Sequence, residues 1–244
     1  MKFSELDLND ALLKAIKRSG FEEATPIQAE TIPLALAGKD VIGQAQTGTG
    51  KTAAFGLPIL QNLEKQHKAI QAVIIEPTRE LAIQTQEELF RLGRDENARV
   101  QVVYGGADIG RQIRSLKHHV PAILVGTPGR LLDHLKRGTI NLEEVKTVVL
   151  DEADEMLDMG FIQDIESILK YAGKRSQTLL FSATMPKPIL RIGEKFMHNP
   201  EIVKIKAKEL TADLIDQYFV RAKESEKFDI MCRLIDVHGP DLAV

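Results

Sequence analysis

The chain has 244 residues, 43% of them hydrophobic and 27% charged, an ordinary globular composition with room for one large domain or one domain and part of another. Aromatic residues are only 5% and tryptophan is absent, so the core must be aliphatic, which favours parallel strands covered by helices over an aromatic-rich β-sandwich. A net charge of -3, from 32 basic and 35 acidic residues, argues against a wholly basic nucleic-acid binder but leaves room for a local basic face.

The opening Met1–Leu6 has no apolar run of signal length, and no stretch is apolar for long enough to span a bilayer. A soluble cytoplasmic protein with no membrane partner is expected. Asn9 or Asp10 can cap a helix carrying Leu12, Leu13 and Ile16 that ends near Gly20. Thr25 is a good N-cap, with Pro26 at the first helical position, where its missing N–H costs nothing. Asp40–Gln44 is a candidate strand leading into Ala45-Gln46-Thr47-Gly48-Thr49-Gly50-Lys51-Thr52, and helical periodicity resumes over Lys51–Glu64. Strand, glycine-rich turn and helix are the context a phosphate loop requires. Gly48 and Gly50 let several N–H groups face one point, and the helix N-terminus adds partial positive charge. Lys51 can reach the β- and γ-phosphates of a nucleotide and Thr52 can ligate Mg²⁺, while Ala45 stands where the strict pattern has glycine.

Farther along, Ala72–Glu76, Ala122–Gly126, Thr147–Asp151 and Thr178–Ser182 are short apolar runs without alternation, as suits strands buried on both faces. Val100–Val103 and Ile202–Ile205 are weaker strand candidates. Helices are predicted over Thr78–Leu92, Arg130–Lys136, Gly160–Tyr171 and Lys187–Met197. Such alternation implies an α/β fold with a parallel sheet and helices on both faces, whose ligands bind at the carboxyl ends of the strands. Asp151-Glu152-Ala153-Asp154 closes one buried run, where Asp151 can hold Mg²⁺ and Glu152 can orient and deprotonate an attacking water. After Ile205 the pattern changes: Lys206–Asp213 looks like a linker, Gln217–Val220 could be a strand, and Lys227–Val237 reads as a helix with Phe228, Met231, Leu234 and Ile235 on one side. Asp241–Val244 begins another apolar run, so the tail reads either as the start of a second domain or as a short cap on the first. The lone Cys232 cannot form an internal disulfide and reads as a small core residue.

The Asp-Glu-Ala-Asp quartet, together with the upstream phosphate loop, resembles the DEAD-box RNA helicases. Further motifs of that family's first RecA-like domain follow in order, and the resemblance covers residues 3 to about 240. It implies a RecA-like P-loop domain over 1–206, a linker over 207–215 and the start of a second RecA-like domain over 216–244. Gly20–Gln28 is similar to the family's Q motif, implying that Gln28 pairs with the adenine edge and that Phe3, Phe21 and Thr25 help to hold the nucleotide; Ala24 stands where proline is common. Pro77-Thr78-Arg79, Gly105-Gly106 and Thr127-Pro128-Gly129-Arg130 resemble the family's RNA-contacting motifs, which grip the backbone without reading base sequence. Ser182-Ala183-Thr184, with Asp154, resembles the motif that couples nucleotide state to domain closure. Arg191-Ile192-Gly193 superficially resembles an arginine-rich motif of the second domain but lies too early and lacks the following arginines.

The resemblance implies an RNA-dependent ATPase that uses ATP and Mg²⁺ and separates short RNA duplexes or remodels RNA–protein complexes. Its partners would be RNA, the second RecA-like domain and RNA-processing or ribosome-assembly complexes. The arginine finger expected from that second domain, worth about 10³–10⁵ in rate, lies beyond Val244, so this chain alone should bind nucleotide weakly and turn over little. A non-catalytic ATP-gated RNA clamp is the alternative, and a DNA helicase a lesser one.

Overall fold

The aliphatic runs assemble into a seven-stranded, all-parallel sheet in the computed structural model, which describes residues 1–173, 176–205 and 218–240. The strands are β1 (Val41–Gln44), β2 (Ala72–Ile75), β3 (Val100–Val103), β4 (Ile123–Gly126), β5 (Thr147–Leu150), β6 (Gln177–Ser182) and β7 (Glu201–Lys204), in spatial order β3-β4-β2-β5-β6-β1-β7. Helices α1 (Asp10–Arg18), α2 (Pro26–Leu36), α3 (Lys51–Gln61), α4 (Arg79–Leu92), α5 (Ile109–His118), α6 (Pro128–Lys136), α7 (Ala153–Asp158), α8 (Ile162–Leu169) and α9 (Lys187–Phe196) join them.

Two apolar clusters explain why the central strands show no alternation. Ile74, Val125, Val149, Leu179 and Phe181 face a layer built from α1 to α4, through Leu12, Ile27, Phe55 and Leu89. Their neighbours Val73, Ile75, Leu124, Val148, Leu150 and Leu180 face the opposite layer, through Leu131, Met156, Ile165 and Ile189. Phe55 and Phe181 meet with ring centroids 5.6 Å apart, and truncating a ring so buried costs about 3–5 kcal/mol. Gly43 on β1 makes that contact feasible, since a Cβ there would lie 2.6 Å from the Phe181 ring. Buried Asp40 fixes the other end of β1: its carboxylate accepts from the Thr178 N–H at 2.8 Å and the His198 N–H at 2.6 Å.

Local chemistry sets the helix boundaries. Asn9 caps α1 by accepting from the Leu12 N–H at 2.9 Å. The helix expected over Gly160–Tyr171 is α8, and the short α7 before it was not expected; Gly160 separates the two, with a φ of +82° that no helix interior accommodates. Helix α5 was not expected, because Leu116 is its one buried residue and its apolar stripe is correspondingly thin. Asp108 caps it, accepting from the Arg111 N–H at 2.6 Å.

The chain divides into two units, Met1–Lys206 and Ala207–Val244. In the second, the described residues form α10 (Lys227–His238), where Phe228, Met231, Leu234 and Ile235 are exposed and Cys232 is half-buried rather than a core residue. Tyr218–Val220 is not in a strand. Gln217, the expected linker and Asp241–Val244 lie outside the described residues. No helix among the described residues is long and apolar enough to cross a membrane.

Candidate functional site

The strand order sorts the candidate residues into two groups along one edge of the sheet. The segments after β1, β5 and β6 carry the phosphate loop, the acidic quartet and Ser182–Thr184, and these three strands are adjacent. The segments after β3, β4 and β2, the remaining adjacent trio, carry Gly105-Gly106, Thr127–Arg130 and Pro77–Arg79. Helices α3, α4 and α6 begin within or just after these segments, so their N-terminal amides face that edge.

In the phosphate loop, Gly48 and Gly50 have φ of +76° and +90°. A Cβ on Gly50 would meet the Gln28 amide nitrogen at 2.3 Å, so both the conformation and the close approach require glycine. Ala45 is buried and donates its N–H to the Ser182 carbonyl at 3.1 Å, which anchors the loop to β6. Gln46 and Thr47 are exposed, and the Thr49 hydroxyl closes the turn by donating to the Gln46 carbonyl at 2.7 Å.

Lys51 does not project outward from the loop. It is 4% exposed, and its ammonium donates to Glu152 Oε1 at 2.8 Å and to the Ala45 carbonyl at 3.2 Å. Asp151 Oδ1 lies 3.8 Å from the same ammonium. Burial pushes the Asp151 carboxyl up to about 7, Lys51 opposes the shift, and the neighbouring Glu152 and Asp154 charges add to it. Asp151 also accepts from the Glu152 N–H at 2.9 Å. Glu152 occupies the left-handed region at φ +50°, an uncommon conformation for a non-glycine residue that clusters at functional sites. Glu152, expected as a free base, is therefore held by Lys51, and Lys51, expected to reach for phosphate, is held by Glu152. Thr52, expected beside a metal, is half-buried and its hydroxyl lies near the Glu88 carboxyl on α4.

The Q-motif residues also differ from expectation. Gln28 is 2% exposed; its amide N–H donates to the Gly50 carbonyl at 3.0 Å and its carbonyl accepts from the Thr25 N–H at 3.0 Å. It is a strut between the start of α2 and the phosphate loop, and protein covers the amide that was expected to face adenine. The Thr25 hydroxyl, buried next to Gly50, has no hydrogen-bond partner. Phe3, expected to stack on a base, is 3% exposed and belongs to the core on the α1–α4 face. Phe21, 37% exposed, is the accessible ring of the two.

Asp154, Ser182 and Thr184, assigned a coupling role by the resemblance, are in contact. The Asp154 carboxylate accepts from both the N–H and the hydroxyl of Thr184 at 2.8 Å, and the Asp154 N–H donates to Ser182 Oγ at 3.1 Å. Burial works against ionisation here, but these hydrogen bonds outweigh it and hold the Asp154 pKa below its ordinary value.

On the other half of the edge, the Thr78 hydroxyl caps α4 by accepting from the Leu81 N–H at 3.3 Å. Arg79 is exposed, with its guanidinium 4.7 Å from the centre of the Tyr104 ring. Pro77 and Pro128 are buried, while Gly105, Gly106 and Gly129 are exposed and Thr127 is half-buried. Arg130, expected to contact RNA, is committed within the protein. Its two terminal nitrogens donate to the Ala107 carbonyl at 3.1 and 3.2 Å, and one also donates to Gln112 Oε1 at 3.0 Å. Gln112 donates in turn to the Tyr104 carbonyl at 3.1 Å. Because Arg130 can only donate, Gln112 must present its oxygen there, so His134 Nε2, 3.1 Å from that oxygen, carries the ring proton. Burial, and then the Arg130 charge, lower the His134 pKa. The network fastens the 104–107 loop to the start of α6. Sequence reasoning passed over Tyr104, Gln112 and His134, which no local pattern distinguishes. It also passed over Glu76, visible only as an acid closing an aliphatic run.

The residues fit a nucleotide with a divalent cation. Two left-handed glycines open a helix N-terminus, a lysine and two carboxyls lie beside it, and a buried Thr25 hydroxyl lacks a partner. Mg²⁺ keeps several waters and needs only one or two carboxylates beside the phosphates, and Asp151 and Glu152 lie within reach of the loop.

Comparison with known proteins agrees with this arrangement. The DEAD/DEAH box helicase family model matches residues 25–192. The chain is 71% identical over its full length to the ATP-dependent RNA helicase CshA of Limosilactobacillus reuteri, covering 49% of that protein. It is 61% identical to the DEAD-box ATP-dependent RNA helicase CshA of Bacillus subtilis, with 99% of the chain and 49% of that protein covered. The chain thus spans about half the length of the curated relatives it matches. Among solved structures, a DEAD box protein from the hyperthermophile Methanococcus jannaschii superposes with a TM-score of 0.81 at 46% identity, covering 96% of this chain and 63% of that one.

Proposed function

This chain belongs to the DEAD/DEAH box helicase family, and from that premise we propose that it is the ATP-binding half of an ATP-dependent RNA helicase. Residues 1–206 are the nucleotide-binding domain, 207–215 the linker and 216–244 the opening of a second RecA-like domain. The supporting observation is the division of one sheet edge: nucleotide-binding chemistry follows β1, β5 and β6, and backbone-gripping loops follow β2, β3 and β4.

The amides of Gly48–Thr52 and the start of α3 would cradle the phosphates, with Lys51, Thr52 and Asp151 around the β- and γ-positions and their Mg²⁺. Bound Mg²⁺ would offset charge on those phosphates. Phosphate draws the Lys51 ammonium off Glu152, and the freed carboxylate then takes a proton from the attacking water. The buried Lys51–Glu152 pair thus keeps the base silent until nucleotide arrives. Gln28 joins the Q-motif turn to the Gly50 carbonyl, so a base seated against Phe21 and Thr25 is felt at the phosphate loop. Asp154 clasps Thr184 and Ser182, tying the acidic quartet to the end of β6 as a coupling element between nucleotide state and the rest of the protein. Thr78, Arg79, Gly105, Gly106, Thr127 and Gly129 offer a hydroxyl, a guanidinium and close backbone approach to the phosphates and 2′-hydroxyls of one RNA strand. Such an activity would serve complexes that process RNA or assemble ribosomes.

Steady-state ATPase of the complete protein, with and without RNA, tests the reading. Stimulation by RNA and not by a matched DNA strand is expected. Tight ATP-dependent retention of RNA without stimulation would establish a clamp instead of an enzyme, and equal stimulation by DNA would overturn the choice of RNA.

A further inference from the structure

Beyond the last paired residue of β2 stands an acid that the proposed chemistry does not use. Glu76 is 1% exposed. Its N–H donates to the Gly126 carbonyl at 3.0 Å, and the Asp151 N–H donates to the Ile75 carbonyl at 3.1 Å, so the ladder continues to the strand ends on both sides. Ile75 pairs with Leu150 in parallel register. The next residues, Glu76 and Asp151, therefore stand side by side with their side chains on the same face of the sheet.

The Glu76 side chain is tied in the other direction. The buried Thr85 hydroxyl, in the second turn of α4, donates to Glu76 Oε1 at 2.7 Å. Pro77, between strand and helix, has no N–H with which to fasten the two. Burial, and then the Asp151 charge, push the Glu76 carboxyl well above its ordinary range. Its Oε1 accepts from the Thr85 hydroxyl and from no other side chain among the described residues. Glu76 lies between the strand-end carboxyls of the nucleotide site and the helix whose first residues are Thr78, the cap, and Arg79.

We propose that Glu76 is a positioning residue: through its bond to Thr85 it seats the N-terminal turns of α4 against the Asp151 strand end, so that Thr78 and Arg79 meet RNA in a fixed relation to the nucleotide site. The inference rests on the RNA-dependent ATPase reading above. It requires the hydrogen bond and not the volume of the two side chains, and this separates a positioning role from packing. Thr85→Val keeps the shape and removes the donor, whereas Thr85→Ser keeps the donor. Glu76→Leu removes the acceptor, whereas Glu76→Gln keeps it.

The measurement is the RNA-concentration dependence of ATPase in the complete protein. Thr85→Val and Glu76→Leu should each raise the RNA concentration for half-maximal stimulation about fivefold, the weight of one buried hydrogen bond. The rate at saturating RNA should stay close to that of the parent protein, and Thr85→Ser and Glu76→Gln should restore half-saturation. The double variant Thr85→Val/Glu76→Leu should be no worse than either single one, because both remove the same contact. Should Glu76→Leu fail to fold, the two Thr85 variants carry the test. Normal stimulation with unchanged half-saturation in Thr85→Val overturns this inference alone, as do equal losses in Thr85→Val and Thr85→Ser. No stimulation of the parent protein by RNA overturns the functional reading, and this inference with it.

Discussion

Replacing Glu152 by glutamine should tighten nucleotide binding by this chain even as it abolishes turnover in the complete enzyme. The Lys51 ammonium donates to Glu152 at 2.8 Å and is 4% exposed. A phosphate can engage Lys51 only by breaking that pair. A buried hydrogen bond to a charged group contributes about 1.5–3 kcal/mol, against about 0.5–1.5 kcal/mol for a neutral one. Glu152→Gln exchanges the first for the second and so lowers the cost of releasing Lys51 by about 1–1.5 kcal/mol, or about five- to tenfold in Kd. Asp151, 3.8 Å from the ammonium, takes over part of the lost attraction once the Glu152 charge no longer opposes its ionisation, which makes fivefold the safer expectation. Titration calorimetry of this chain with a non-hydrolysable ATP analogue at fixed Mg²⁺ gives the number. Unchanged or weaker binding by the variant refutes the idea that the ion pair restrains the free site. Turnover surviving in the complete Glu152→Gln enzyme refutes the assignment of Glu152 as base.

Asp151 carries a pH signature of known sign. Its pKa is raised from 3.8 to about 7 in the folded chain, so between those values the native state holds a proton that the unfolded chain has lost. Stability contributed through Asp151 is therefore full below the lower value, declines as pH rises, and is gone above about 7. Thermal melts of the parent chain and Asp151→Asn across pH 5 to 8 should diverge, the parent losing stability relative to the variant as pH rises; parallel curves contradict the assignment. Arg130→Met should weaken RNA binding about tenfold by releasing the 104–107 loop from its charged hydrogen bonds, while leaving the salt dependence unchanged, since the guanidinium neutralises no phosphate. A fall of about 0.7 in the slope of log affinity against log salt would show a direct phosphate contact instead.

Much of the scaffold is legible along the chain because its signals are local. Val100–Val103 is β3 as read, Thr25 and Pro26 open α2, and Lys51 begins α3 directly after the glycines. The exceptions have equally local causes: α7 is ended after six residues by the turn at Gly160, and α5 buries too little apolar surface to announce itself. The site was legible as a set of residue types but not as a set of bonds. Asp154 meets Ser182 and Thr184 because β5 and β6 are neighbours and their strand ends lie side by side. Arg130 did not follow its motif, because its partners Ala107 and Gln112 belong to another loop whose approach no spacing encodes.

The sequence by itself determined the class of fold, the phosphate loop and the family, since each depends on neighbours a few residues apart: glycines before a helix, aliphatic runs of strand length, an acidic quartet after one of them. The tertiary structure decided which charges face one another. Lys51 and Glu152 are 101 residues apart in the chain yet 2.8 Å apart in space, and Gln28 reaches Gly50 across 22 residues. Glu76 lies beside Asp151 because β2 pairs with β5. Sheet order sets these contacts, and sheet order follows from burying both faces of the central strands at once, a condition that no single segment carries.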